Sequence, residues 1–165
     1  MDYGYTQICE DRLWELSTND EDTEKKVLDF LSDCSRTATF GARLKRFIAQ
    51  ECNVSEDQAS QYLKECCRRE GIEIKANTIK KWFSVAGPKK GGRSRELMLR
   101  VAFALRLNVA QTNLLFQKVY LDRGLYPRRF EEYTAEFCLK KGLGWADWQS
   151  ILKQYPCSTE QNDQT

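Results

Sequence analysis

The side chains best suited to bind a partner lie in a basic stretch in the middle of the chain. Residues 75–100 hold eight Lys and Arg side chains against Glu96 alone, although the whole chain carries a net charge of only +2. Amide and hydroxyl side chains lie among these lysines, and Asn can pair with adenine while Lys can donate to guanine. This local excess of positive charge favours a polyanionic partner such as nucleic acid. A solvated basic face, balanced by acidic residues elsewhere in the chain, is the alternative.

The candidate nucleic-acid-binding residues form two groups. The first lies before and within a short predicted helix and comprises Lys75, Asn77, Thr78, Lys80 and Lys81. The second spans a glycine-rich loop and the start of the next helix and comprises Lys89, Lys90, Arg93 and Arg95. Glycines allow a phosphate backbone to approach closely, and the N-terminus of a helix favours an anion. If six of these cations contact phosphates, log affinity is expected to fall with log salt at a slope of roughly −5. Surface residues that only solubilise the chain are the alternative for both groups.

The composition leaves little room for catalysis. The chain has no His, which excludes His-based acid–base chemistry, His-activated nucleophiles and zinc sites that need imidazole. Glu131 and Glu132 are adjacent on a predicted helix, so they do not share a face and do not form a catalytic carboxylate pair. The Gly-Lys-Ser/Thr of a P-loop is absent. We therefore expect a binding protein that is not an enzyme and that uses no cofactor and no metal.

The cysteines and the N-terminus bear on the compartment. The cysteines are odd in number and contain no Cys-x-x-Cys pair; they are Cys9, Cys34, Cys52, Cys66, Cys67, Cys138 and Cys157. This usage indicates small apolar residues in a reducing compartment, with a redox switch or a nucleophile as the alternative. The N-terminus is neither basic nor apolar enough for a signal peptide, and no stretch approaches the ~20 apolar residues of a membrane helix. We expect a cytoplasmic protein without a membrane partner.

The spacing of apolar residues predicts the elements that position these groups. It is helical throughout, and the only strand-like alternation, at residues 72–74, is too short to build a sheet. The predicted helices cover residues 7–16, 22–34, 40–49, 55–70, 79–83, 94–108, 110–121, 128–141 and 145–152. Ser55, Asn77-Thr78 and Ser94 are the expected N-caps, while Gly71 and Asn108 are the expected stops. In the helix over 128–141 we expect an inward face of Phe130, Tyr133, Phe137 and Cys138.

Five segments, in order along the chain, resemble the lambda-repressor-like (Cro/C1-type) helix-turn-helix family. Phe40-Gly41-Ala42-Arg43-Leu44 resembles the first helix of that family, and the helix pair would be residues 55–70 and 77–83. Ile79-Lys80-Lys81-Trp82 resembles the Ile-x-x-Trp of the third helix. Residues 102–108 resemble the end of the fourth helix, and residues 109–115 resemble the start and the Leu-Leu anchor of the fifth. The resemblance covers residues 40–123, with one departure: the turn between Gly71 and Ile79 is longer than in the family.

The resemblance implies a recognition helix that reads the major groove of duplex DNA, and dimers are common in this family. We expect a transcriptional regulator; the position of its recognition helix stays open because of the long turn. The alternative is a small mobile-element or phage-type protein that inhibits a host defence nucleoprotein, such as a CRISPR effector, by binding a protein–nucleic acid complex. Binding to free duplex DNA distinguishes the two hypotheses.

The expected organisation is an all-α, compact multi-helix domain with four parts. Residues 1–39 form an acidic N-terminal helical segment, whose first 35 residues carry ten Asp and Glu against three Lys and Arg. Residues 40–123 form the helix-turn-helix core. Residues 124–155 form a C-terminal helical pair whose aromatic residues pack on that core, with a dimer or partner surface as the alternative. Residues 156–165 form a disordered tail.

Overall fold

The computed structural model describes residues 39–84 and 93–156, together with Leu28. Within these residues the chain forms seven α-helices and no β-strand, which confirms the predicted all-α class. The helices are α1 (Phe40–Cys52), α2 (Ala59–Glu70), α3 (Ala76–Trp82), α4 (Arg95–Ala104), α5 (Val109–Leu114), α6 (Phe130–Lys141) and α7 (Trp145–Gln154). A 3₁₀ turn (Glu56–Gln58) precedes α2, and a π-helical turn (Leu115–Val119) continues α5.

Three of the predicted segments are not described by the structure, apart from Leu28. The helix predicted over 7–16, the rest of the helix predicted over 22–34 and the tail beyond Pro156 lie outside the described residues. Among the helices that are described, none combines the length and the apolar character that a membrane crossing requires.

Helix α4 lies at the centre of the fold because apolar residues surround its axis. Met98, Leu99 and the four residues 101–104 are all buried. The helix packs most extensively against α2, and it also contacts the π-helical turn and α7. Burial on nearly all sides is typical of a core helix. The predicted cap is confirmed, because the Ser94 hydroxyl accepts a hydrogen bond of 3.2 Å from the backbone N–H of Leu97.

Two predicted helix starts are wrong. Helix α3 begins at Ala76, where the Lys75 carbonyl accepts from the N–H groups of Thr78 and Ile79, so Asn77-Thr78 is not its cap. Ser55 makes no capping hydrogen bond and precedes only the 3₁₀ turn, so α2 begins at Ala59.

Asn108 was expected to end α4, but it begins α5 through a capping box with Gln111. The Asn108 side chain accepts from the Gln111 N–H at 2.8 Å, and the Gln111 side chain accepts from the Asn108 N–H at 3.0 Å. Helix α4 ends earlier because Arg106 adopts a left-handed backbone conformation, with φ 53°. Gly71 ends α2 as predicted, in the left-handed conformation that glycine adopts most easily.

The predicted inward face of α6 is also wrong for two aromatic residues. Tyr133 and Phe137 are 59% and 47% exposed, while Glu132, Ala135 and Cys138 are buried. The smaller side chains allow α7 to approach α6, and the Trp148 indole N–H donates a hydrogen bond of 3.0 Å to the Thr134 hydroxyl. The buried face of α6 is therefore the one that carries Glu132, Ala135 and Cys138, and Tyr133 and Phe137 face solvent.

Two close contacts join the start of α1 to the end of α3. The Phe40 ring packs edge-on against Trp82, with their centroids 5.6 Å apart. The next residue, Gly41, lies so close to the Trp82 carbonyl that a Cβ atom at this position would overlap the carbonyl oxygen. The absence of a side chain at Gly41 is what allows the two helices to meet.

Candidate nucleic-acid interface

Helix α3 is held on the protein by two buried residues. Ile79 is 2% exposed and Trp82 is fully buried, as expected from their spacing of three residues on one helical face. The C-terminal end of α3 is closed by the Ser84 hydroxyl, which donates to the Lys81 carbonyl at 2.9 Å. The side chains of the opposite face are consequently directed to solvent.

The outward residues of α3 form a polar, basic face. Its members, here called the α3 face, are exposed and comprise Lys75, Asn77, Lys80 and Lys81. Thr78 is half-buried at the edge of this face. Within residues 39–84 and 93–156, none of these lysines forms an ion pair with a carboxylate. Asn77 lies in the first turn of α3, where its exposed side chain does not cap the helix.

The long turn before α3 is fixed at two points. Ile72 is 5% exposed and donates its backbone N–H to the Cys67 carbonyl at 2.9 Å. Arg100, on α4, donates from Nη1 to the Glu73 carbonyl at 2.6 Å. The extra residues of the turn are thus accommodated by an apolar anchor and a side-chain clamp. Sequence reasoning missed the role of Arg100, since the Arg100–Glu96 spacing of four residues indicates only a local ion pair.

The second predicted group separates into residues with different roles. Lys89 and Lys90 lie outside the described residues. Arg93 is half-buried, with its guanidinium 5.5 Å from the centroid of the Phe40 ring. Since Phe40 packs on Trp82, Arg93 lies on the part of the surface that α1 shares with the end of α3.

Arg95 is directed inward and is saturated with protein partners. Its Nε and Nη2 donate to the two carboxylate oxygens of Glu132 at 2.7 and 2.8 Å. Its Nη1 donates to Asp122 and to the Arg123 carbonyl, and Nη2 also donates to the Gly124 carbonyl at 2.8 Å. A guanidinium has five N–H groups, and these five contacts use that capacity. The prediction that Arg95 contacts a phosphate is therefore corrected, and Arg95 holds the 122–124 segment and α6 against α4.

The carboxylates around Arg95 have lowered pKa values. Burial alone would raise the pKa of Glu132, but hydrogen bonds from Arg95 and from the Tyr126 N–H outweigh it and lower that pKa below the ordinary value of 4.5. Burial likewise opposes ionisation of Asp122, and hydrogen bonds from the Arg123 N–H and Arg95 lower its pKa overall. The guanidinium therefore stays paired with two ionised carboxylates at neutral pH.

The free energy of unfolding is expected to fall as the pH drops below about 4.5. A carboxyl group whose pKa is lower in the folded state stabilises the fold above its unfolded pKa and loses this contribution as the pH falls through the folded pKa. Glu132 and Asp122 both follow this rule. Urea titrations between about pH 7 and pH 3 measure the effect, and Glu132→Gln is expected to show a shallower decline. A decline of equal steepness in this variant would contradict the assignment to Glu132.

Burial disfavours the thiolate form at three of the described cysteines. Burial raises the pKa of the Cys67 thiol to about 11 and also raises the pKa values of Cys52 and Cys138. Cys66 is buried and accepts a contact of 3.6 Å from Arg69. In residues 39–84 and 93–156, no group of three or more Cys, Asp or Glu side chains could hold a metal ion. The α3 face therefore remains the candidate binding surface.

No protein-family model, no curated protein and no solved structure matches this chain.

Proposed function

We propose that the protein binds duplex DNA through the α3 face and acts as a transcriptional regulator of the helix-turn-helix class. The observation that carries the proposal is a short helix with Ile79 and Trp82 in the core and, on its outward side, lysines that pair with no carboxylate of the described residues. A helix of this size fits the major groove, where its outward polar side chains meet base edges and phosphates.

Each outward residue is suited to a particular contact. Lys80 and Lys81 supply positive charge for phosphates or guanine, and Asn77 supplies the donor–acceptor pair that matches adenine. Arg93, half-buried beside Phe40, extends the positive surface past the end of α3. The fixed turn before α3 supports this function, because a rigid recognition element loses less conformational entropy on binding.

A salt titration of binding to random-sequence duplex DNA tests the proposal. We expect the wild-type protein to show a steep negative slope of log affinity against log salt, and Lys80→Ala/Lys81→Ala to reduce its magnitude by about two. Each lysine that neutralises a phosphate releases a counterion, so the loss of two contacts removes about two from the slope.

The chain offers a closely matched control for this experiment. Lys140 and Lys141 are also adjacent, exposed lysines in the last turn of a helix, so Lys140→Ala/Lys141→Ala changes the net charge equally. This variant also removes the Lys140–Glu136 ion pair, which at the surface contributes little to stability. We expect this variant to keep the wild-type slope. An equal reduction of the slope in both variants would show that the effect comes from net charge and not from the α3 face. If the wild-type protein does not bind free duplex DNA at modest salt, the result would favour a protein–nucleic acid complex as the partner.

A further inference from the structure

A groove of about 660 Å³ lies between α4, α6 and α7, apart from the α3 face. Its apolar lining comes from Leu99, Phe130, Trp145, Trp148 and Leu152. The volume falls within the range of about 300–1,000 Å³ that small-molecule sites occupy, and such sites are lined mainly by apolar and aromatic side chains with a few polar groups. The groove is therefore large enough for an aromatic ring with a short polar substituent.

Two arginines of the groove have no ion-pair partner among the described residues. Arg128 and Arg129 line it and are exposed, and neither forms an ion pair with a carboxylate in the described ranges. Two of the three glutamates in the lining are already engaged, since Glu132 binds Arg95 and Glu96 binds Arg100. Glu131, which is exposed, and Glu132, whose pKa Arg129 helps to lower, offset only part of the positive charge of the lining arginines. The charge available to a ligand is positive.

Arg100 connects this groove to the turn before α3. Its guanidinium carbon lies 5.6 Å from the centroid of the Trp145 ring, and its Nη1 donates to the Glu73 carbonyl. Its Nη2 binds Glu96 at 2.7 Å, while its Nε is buried and has no hydrogen-bond partner among the described residues. A buried donor without a partner is costly, so a ligand that approaches Arg100 gains by satisfying it. One side chain thus contacts both the wall of the groove and the support of α3.

We propose that the groove binds a small planar aromatic anion and that its occupancy is transmitted to α3 through Arg100. The ring lies against Trp145, because indole faces stack with other aromatic systems. The anionic group lies at Arg128 and Arg129, whose guanidinium groups match carboxylates and phosphates. The transmission to α3 rests on the proposed function, whereas the binding site itself does not.

Binding is tested with adenosine 5′-monophosphate and 1-naphthoate as separate probes, followed by NMR of the indole N–H signals of Trp145 and Trp148. We expect saturable shifts with at least one probe at about millimolar concentration, and no saturation with neutral adenosine. A response to the monophosphate alone assigns a nucleotide-type ligand, and a response to naphthoate alone assigns an aromatic carboxylate. The absence of saturation by both probes, or equal binding of adenosine, would overturn the proposal.

Variants identify the residues responsible. Arg128→Ala/Arg129→Ala is expected to weaken binding of the responding probe about tenfold or more, because both charge-assisted contacts are lost. Lys140→Ala/Lys141→Ala, with the same change in net charge, is expected to bind the probe normally. Unchanged affinity in the arginine variant would place the probe outside this groove.

The transmission is tested by measuring duplex DNA affinity with and without a saturating amount of the responding probe. We expect the probe to change DNA affinity about fivefold or more in the wild type, with DNA changing probe affinity by the same factor. In Arg100→Lys, which keeps the charge but loses the planar fork, the probe is expected to bind more weakly, and the change in DNA affinity is expected to disappear even at a saturating amount of probe. No effect of the probe on DNA affinity in the wild type would refute the transmission. If the wild type does not bind DNA at all, the proposed function fails and the groove is judged by NMR alone.

Discussion

Replacing Arg95 with Met is expected to lower the free energy of unfolding by about 3 kcal/mol. The side chain is only 12% exposed, and its partner Glu132 is 3% exposed. Removing the guanidinium leaves a buried carboxylate without its main partner, and it also orphans the carbonyls of Arg123 and Gly124. Urea denaturation followed by circular dichroism measures the loss.

Two further variants distinguish the loss of the Arg95–Glu132 ion pair from the loss of side-chain packing. Arg128→Met removes an exposed arginine, and we expect a change of no more than about 0.5 kcal/mol. Arg95→Met/Glu132→Leu removes both charges, and we expect it to lose less stability than the two single variants combined, since neither charge is left buried alone. An Arg95→Met protein as stable as the wild type would contradict the central role of this residue.

Replacing Gly41 with Ala is expected to destabilise the protein by about 3 kcal/mol, even though Ala favours helices over Gly. A Cβ atom at this position overlaps the Trp82 carbonyl oxygen. Backbone atoms cannot rotate away as a side chain does, so α1 and α3 must move apart. Thermal or urea denaturation measures the loss, and DNA affinity is expected to fall with it because α3 is displaced.

Gly144→Ala is the matched control for this substitution. Its added Cβ atom meets only the Asp147 carboxylate at 3.8 Å, an ordinary contact, and Gly144 has a negative φ that Ala adopts without strain. Gly144 is the N-cap of α7, where Ala is less favourable than Gly, so we expect a loss of no more than about 1 kcal/mol. A Gly41→Ala protein that gains stability would show that the two helices have room to separate.

Apolar spacing was sufficient to predict the all-α class and the anchoring of α3. Ile79 and Trp82 lie three apart on one face of a short helix, a spacing that indicates shared burial, and both are buried. The extent of the helix over 110–121 was close, but its π-helical turn was not predicted. Such a turn depends on tertiary contacts, here between the Val119 carbonyl and the buried Arg43 Nε at 3.0 Å.

The inward direction of Arg95 could not be read from the sequence. Its partners Asp122 and Glu132 lie 27 and 37 residues further along the chain. Hydropathy patterns predict that an arginine in the first turn of a helix is exposed, whereas carboxylates distant in sequence can pair with the guanidinium and hold it inside the protein. The same network explains Tyr133 and Phe137, since turning Glu132 inward rotates these aromatic residues toward solvent. The groove and the Arg100 clamp likewise arise from residues that meet only after folding.

Helix α3 has seven residues and no side-chain cap at its N-terminus. A free peptide of that length would not stay helical in water, because nucleation costs more than a few hydrogen bonds return. The packing of Trp82 in the core therefore keeps α3 helical and its outward lysines in fixed positions. Damage to the packing around Trp82 would first appear as local unfolding of α3, with the remaining helices still folded. Such a variant is expected to lose partner binding while the other helices keep most of the circular dichroism signal.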